Sequence, residues 1–168
     1  MSRVRMKDSR FRPGWLGASL AALLLCCPPA RADAIADWNA IAAGAVSASG
    51  RSDSYERSHA MAMVSVAMFE AVNFNEARHG SWLLVSSPAP LNASSEAAAA
   101  AAAHYVLSQL YPEQQVSFSV ALVRTLAAIP DGVEKFVGQI TGTETGKSVY
   151  AILTSGAASP VALFGGDR

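Results

Sequence analysis

Residues 94–110 read SSEAAAAAAAHYVLSQL, and this alanine-rich segment decides the fold class. Alanine has the highest helix propensity, and the apolar side chains continue through Val106 and Leu107 to Leu110. Glu96 would lie in the first turn, where a negative charge favours the helix dipole. Three residues can serve as N-caps: Asn92, Ser94 and Ser95. The segment therefore predicts a helix, either packed in a core through its small side chains or solvated at the surface.

Gly138, Gly142 and Gly146 follow one another at spacings of four in the last apolar segment of the sequence. On a helix they would share one stripe and allow a neighbouring backbone to approach closely. The stretch from Gly142 to Ser148 also resembles a phosphate-binding loop, but three rather than four residues separate its glycines and no apolar strand precedes it. We therefore expect close helix packing at this stripe.

Outward from residues 94–110, other segments repeat apolar residues at helical spacing. The first has Asp33 as a candidate cap and an apolar face formed by Ile35, Trp38, Ile41, Ala42, Ala45 and Val46. The second starts near Ser54, ends near Asn73 or soon after, and has a stripe formed by Ala60, Met63, Val64, Ala67, Met68, Ala71 and Val72. Residues 94–110 are the third segment. The fourth follows Tyr111-Pro112, and its apolar face is formed by Val116, Val120, Val123, Leu126 and Ala127. After a turn at Ile129-Pro130-Asp131-Gly132, residues 133–153 are predicted to form the last helix. Because no hairpin pattern interrupts these segments, the sequence predicts an all-α bundle of about five helices.

Residues 1–32 have the three parts of a cleavable secretory signal. Basic residues precede the apolar run from Trp15 to Cys27, which is followed by the A-x-A ending Ala30-Arg31-Ala32. The uncharged stretch from Pro13 to Ala30 is shorter than the roughly 20 apolar residues of a membrane span. We therefore expect export to the periplasm or the medium, cleavage after Ala32, and no membrane anchor after cleavage.

The expected mature protein, residues 33–168, has no cysteine, because Cys26 and Cys27 both lie in the signal. It must therefore be stabilised by packing rather than by disulfides. Its seven Lys and Arg against twelve Asp and Glu give a net charge of −5. This charge argues against nucleic acid or an anionic membrane surface as a partner.

Two Glu-x-x-His patterns, Glu56 to His59 and Glu76 to His79, have the spacing that helices of di-metal carboxylate bundles use. Twenty residues separate them, so a continuous helix would place them about 30 Å apart. His104 follows the alanine run and is interpreted as a surface or partly packed side chain. Serines and histidines occur without a nucleophile-elbow pattern. No residue is therefore predicted to be catalytic, cofactor-binding or metal-ligating.

Several motifs in order resemble the amino-terminal half of bacterial vanadium-dependent haloperoxidase-like proteins, which share a superfamily with type 2 phosphatidic acid phosphatases. The resemblance covers nearly the whole expected mature chain. Its motifs are Trp38-Asn39, Arg57-x-x-Ala60-Met61-x-Met63-Val64-x-Val66-Ala67-Met68-Phe69-Glu70-Ala71-Val72-Asn73, Ala103-His104, Leu110-Tyr111-Pro112, Ile129-Pro130-Asp131-Gly132 and the stripe of Gly138 and Gly142.

The resemblance implies that the pocket for vanadate or phosphate is built from the carboxy-terminal half of the family fold, with a Lys and Arg-Pro segment, a Pro-Ser-Gly-His segment and an Arg segment leading to a His. Ser155-Gly156 is not followed by histidine, and Lys147 is not followed by Arg-Pro. No family site residue can therefore be assigned to this sequence.

Three functional hypotheses remain. The first is an exported helical half-domain that is not catalytic alone, either truncated or a scaffold for the missing catalytic half. In the second, another polypeptide supplies that half and its vanadate site, and the assembly is a haloperoxidase or an acid-phosphatase-type enzyme. The third is a small secreted binding protein that uses the loop from Trp82 to Val85.

Overall fold

The computed structural model describes residues 34–50, 53–81 and 92–155, and this part of the chain contains five α-helices and no strand. The helices are α1 (Ala34–Ala48), α2 (Ser54–Glu76), α3 (Ser95–Leu110), α4 (Gln115–Ala127) and α5 (Val133–Thr154), with a 3-10 turn at Pro112–Gln114 before α4. The predicted all-α class is therefore confirmed. The secretory signal of residues 1–32, the candidate cap Asp33 and the Trp82 to Val85 loop lie outside the described residues.

Side-chain caps define where α2 and α3 begin. The Asp53 carboxylate accepts a hydrogen bond from the Tyr55 amide at 2.9 Å, and the Ser94 hydroxyl accepts one from the Ala97 amide at 3.2 Å. Each bond satisfies an amide that has no partner within its helix. Of the three candidate caps before the alanine run, Ser94 is the one used.

α2 ends at Glu76, three residues after Asn73, which agrees with the predicted end near Asn73 or soon after. Its C-cap is Ala77, which adopts the left-handed conformation (φ 51°) and donates its amide hydrogen to the Asn73 carbonyl oxygen at 2.7 Å. The Asn73 side chain bonds both the amide and the carbonyl of His79, each at 2.8 Å. Asn73 therefore holds the chain that follows the helix and does not terminate it.

α3 is the central helix and packs against all four others. Every alanine from Ala97 to Ala103 is at most 3% exposed. Small side chains on all sides of one helix let four neighbours approach its axis together. Of the two interpretations left open by the sequence, burial of the alanine run is therefore the one that the structure shows.

The glycine stripe of α5 packs directly on α3, as the spacing predicted. A Cβ atom built on Gly142 would lie 2.7 Å from the Ala98 Cα atom, and one built on Gly138 would lie 3.1 Å from the Ala97 Cβ atom. Gly146 meets Ala102 in the same way. Because both residue numbers rise together along the contact, α3 and α5 run parallel. The resemblance of Gly142 to Ser148 to a phosphate loop is not reflected in the fold, since the segment lies inside α5.

The remaining core lies where α1, α2 and α4 cover the rest of α3. Its largest fully buried side chains include Trp38, Met63, Met68, Tyr111 and Phe118. The predicted stripe of α2 is largely buried in this core. The face of α1 is buried at Trp38, Ala42, Ala45 and Val46, whereas Ile35 at its first turn is 39% exposed.

Candidate functional site

The predicted apolar face of α4 points largely to solvent, although its Leu126 is partly buried. Val116, Val120 and Val123 are between 56% and 78% exposed, and we call them the α4 outer face. Their spacing of four and three residues aligns them on one side of the helix. Phe118, on the other side, is 2% exposed and belongs to the core cluster. The side of α4 that is buried in the core is therefore the side that carries Phe118, and not the side that carries the three valines.

α5 also exposes an apolar side. Val133, Phe136 and Ile140 are between 48% and 72% exposed, and we call them the α5 outer face. They lie opposite the glycine stripe, because a rotation of 100° per residue places them about half a turn from Gly142. Aligned and exposed apolar side chains of this size are typical of interaction surfaces.

A polar cluster joins α1, α3 and α4 around His104. Its Nε2 atom lies 3.3 Å from the Ser119 hydroxyl, and its ring meets that of Trp38 edge to face at 6.4 Å. The Trp38 indole N–H donates to the Thr125 hydroxyl at 3.2 Å. Partial burial lowers the pKa of His104, because a charged imidazolium would lose hydration there.

The Ser119 and His104 pair lacks the other parts of a nucleophilic site. Within the described residues, no hydrogen bond joins a carboxylate to His104. Ser119 lies in the middle of α4, where the backbone amides are engaged in helical bonds and cannot form an oxyanion hole. The cluster therefore acts as a structural link between three helices.

The two Glu-x-x-His patterns lie at opposite ends of α2. At its start, the ring of His59 stacks on that of Tyr55 with centroids 5.8 Å apart. At its end, Glu76 pairs with Arg78 at 3.0 Å, while the His79 backbone is bonded to Asn73. In residues 34–50, 53–81 and 92–155, no three His, Cys, Asp or Glu side chains come together as metal ligands.

Three described cations are already paired with neighbouring carboxylates. Arg78 is bonded to Glu76, Lys135 to Asp131 at 2.9 Å and Lys147 to Glu144 at 2.6 Å. The hydrogen bond and charge of Lys135 lower the pKa of Asp131, and those of Glu144 raise the pKa of Lys147. Arg57 lies at the start of α2 and Arg124 on α4, so these basic side chains are distributed over separate elements. They do not form the convergent set of donors that vanadate or phosphate requires.

Glu70 is a buried acidic side chain that was not among the residues expected to form a site. It is 2% exposed, and its Oε2 atom accepts a hydrogen bond from the Ser81 hydroxyl at 2.8 Å. The available signal was its position, since Glu70 follows Ala67 by three residues and therefore lies on the apolar stripe of α2. A carboxylate within such a stripe indicates a buried polar contact.

Comparison of the chain with protein-family models, with curated proteins and with solved structures found no match. In the described part of the chain, no helix combines the length and the apolarity needed to cross a bilayer.

Proposed function

We propose that this chain is an exported helical half-domain of the vanadium-dependent haloperoxidase-like type, which is not catalytic alone and acts as a scaffold for a second polypeptide. The proposal of export rests on the sequence pattern of residues 1–32. The observation that carries the proposal of a partner is the presence of two exposed apolar faces, on α4 and on α5.

The apolar area of these two faces determines how much of them a partner must bury to bind stably. Fully burying a Val, Ile or Phe side chain contributes about 1.5 to 3 kcal/mol, so the six partly exposed side chains together offer on the order of 5 to 10 kcal/mol. Association costs about 4 kcal/mol or more in lost translation and rotation. Either face alone is therefore marginal, and a stable partner must cover both faces or add polar contacts.

The chemistry of the partner follows from what the described residues do not supply. An oxyanion pocket needs several converging cations, and Arg78, Lys135 and Lys147 are already paired with carboxylates. The described residues therefore do not fit vanadate or phosphate. In the proposed assembly, the second polypeptide supplies the Lys, Arg and His donors, and this chain supplies apolar surface.

The first experiment titrates the purified chain with orthovanadate by calorimetry and assays it for halide oxidation and phosphoester hydrolysis. We expect no binding above that of an unrelated protein and no turnover. Micromolar vanadate binding with histidine-dependent turnover by this chain alone would refute the proposal.

The second experiment searches the neighbouring reading frames for a Pro-Ser-Gly-His segment and co-expresses that product with this chain. We expect a complex that binds vanadate and that is lost in Val120→Asp and in Phe136→Asp, because each places a charge on an outer face. Ser148→Asp adds the same charge at another exposed position of α5 and is expected to leave the complex intact. No such frame, or a complex indifferent to both outer-face variants, would contradict the two-chain assembly.

A further inference from the structure

A groove with a volume of about 530 Å³ lies between the last turns of α1 and the first turns of α2. Its apolar floor consists of Ala43, Val46 and Met61. Among the described residues, the hydroxyl groups of Ser47, Ser54 and Ser58 line it, and Arg57 is the charged residue of the lining. The volume is within the range of about 300 to 1,000 Å³ that is typical of small-molecule sites.

Part of the polar lining of this α1–α2 groove is available to a ligand. Arg57 forms no ion pair with the described residues, in contrast to Arg78, Lys135 and Lys147. The Ser47 hydroxyl already donates to the Ala43 carbonyl at 2.9 Å, whereas the hydroxyls of Ser54 and Ser58 form no hydrogen bond with the described residues and can donate to an anion. The groove therefore combines an unpaired cation, hydroxyl groups and an apolar floor, which matches a ligand with one anionic end and an apolar body.

The described charges beside the groove favour a ligand with one negative charge over a ligand with two. Asp53 is the N-cap of α2 and Glu56 lies in its first turn next to Arg57 in the sequence, and the Asp53 carboxylate already accepts a hydrogen bond from the Tyr55 amide. Two carboxylates near one guanidinium disfavour a dianion such as phosphate. One carboxylate can accept two parallel hydrogen bonds from a guanidinium.

We propose that the α1–α2 groove binds an amphiphilic monocarboxylate, with its carboxylate on Arg57 and its apolar body against Ala43, Val46 and Met61. The hydroxyl of Ser58, one turn from Ser54 on α2, can donate to the same carboxylate. This site does not depend on the proposed partner, because neither outer face contributes to it.

The test titrates the full, isotopically labelled chain with sodium octanoate and follows the backbone amide resonances. We expect saturable shifts confined to residues 43–47 and 54–61. Acetate, which lacks the apolar body, 1-octanol, which lacks the charge, and inorganic phosphate should each bind at least about tenfold more weakly.

The decisive variant is Arg57→Gln, with Arg124→Gln as the matched control at another exposed arginine. We expect Arg57→Gln to weaken octanoate binding at least about tenfold, and Arg124→Gln to leave it unchanged. Ser58→Ala should weaken it less. If octanoate causes no saturable shifts at millimolar concentration, binds Arg57→Gln as well as wild type, or is matched by 1-octanol, the proposal is wrong.

Discussion

α4 and α5 each have two apolar sides, of which one is packed and the other is exposed to solvent. On α5 the packed side is the glycine stripe against α3, and the exposed side carries Phe136. On α4 the packed side carries Phe118, and the exposed side carries Val120. Apolarity alone therefore does not decide which side is buried. On α5 the absence of side chains decides, since glycine permits the closest approach to α3.

The largest expected effect separates the two sides of α4. Phe118→Ala should lower the free energy of unfolding by about 4 kcal/mol, because it leaves a cavity in the core. Val120→Ala, two residues away on the outer face, should change it by less than about 0.5 kcal/mol. Urea denaturation followed by far-ultraviolet circular dichroism measures both values. Similar losses for the two variants would show that the outer face is packed in the isolated chain.

The next effect compares the same substitution at two helical glycines. Gly142→Ala should destabilise by about 2 to 3 kcal/mol, because its methyl group would meet the Ala98 backbone, which cannot move without displacing α3. A methyl group added at Gly44 on α1 would meet no atom within 4 Å. Gly44→Ala should therefore raise the free energy of unfolding by about 0.5 to 1 kcal/mol, because alanine has the higher helix propensity. Thermal and urea unfolding of both variants show whether each substitution lowers or raises the free energy of unfolding. A stabilising Gly142→Ala would contradict the close contact between α3 and α5.

The helices could be predicted from the sequence because their signals are local. Ser94 is a cap whose hydroxyl reaches an amide three residues away, and the spacing of Gly138, Gly142 and Gly146 places them on one stripe of any helix. Such signals depend on neighbours within one or two turns. The fold class and the contact face of α5 followed from them.

The environments of the side chains could not be predicted in the same way, since they depend on elements distant in the sequence. Val120 and Phe118 each lie on an apolar side of α4, and only the position of α3 decides which is buried. The neighbours of Arg57 in the α1–α2 groove belong partly to α1, ten to fourteen residues earlier in the sequence. The position of Glu70 on the apolar stripe of α2 indicates burial, but its partner Ser81 lies eleven residues later and is identified only by the fold.

A smaller effect on stability is expected at the first residue of the contact between α3 and α5. Ser94→Ala removes the cap of α3 and should cost about 1 kcal/mol. Ser95→Ala is the matched control, because the Ser95 side chain does not cap the helix, and it should cost less than about 0.5 kcal/mol. The two values come from urea titration under identical conditions. Equal costs would mean that the Ser94 hydroxyl bond does not contribute to stability.

The smallest effect concerns the dependence of stability on pH at His104, which links the packed side of α4 to α1 and α3. Burial lowers its pKa in the fold below the ordinary value of 6.5, so the unfolded chain binds the proton more readily. The contribution of neutral His104 to the free energy of unfolding is therefore fully present above pH 6.5 and is lost as the pH falls below that value. His104→Gln keeps a partner for Ser119 but does not titrate. Urea unfolding at a series of pH values between about 5 and 7.5 should show a steeper acid loss for wild type than for His104→Gln. Because the His104 ring is only partly buried, this difference in stability between the two proteins should be smaller than the effects of Phe118→Ala, Gly142→Ala and Ser94→Ala. Parallel curves for the two proteins would show that His104 is as hydrated in the fold as in the unfolded chain.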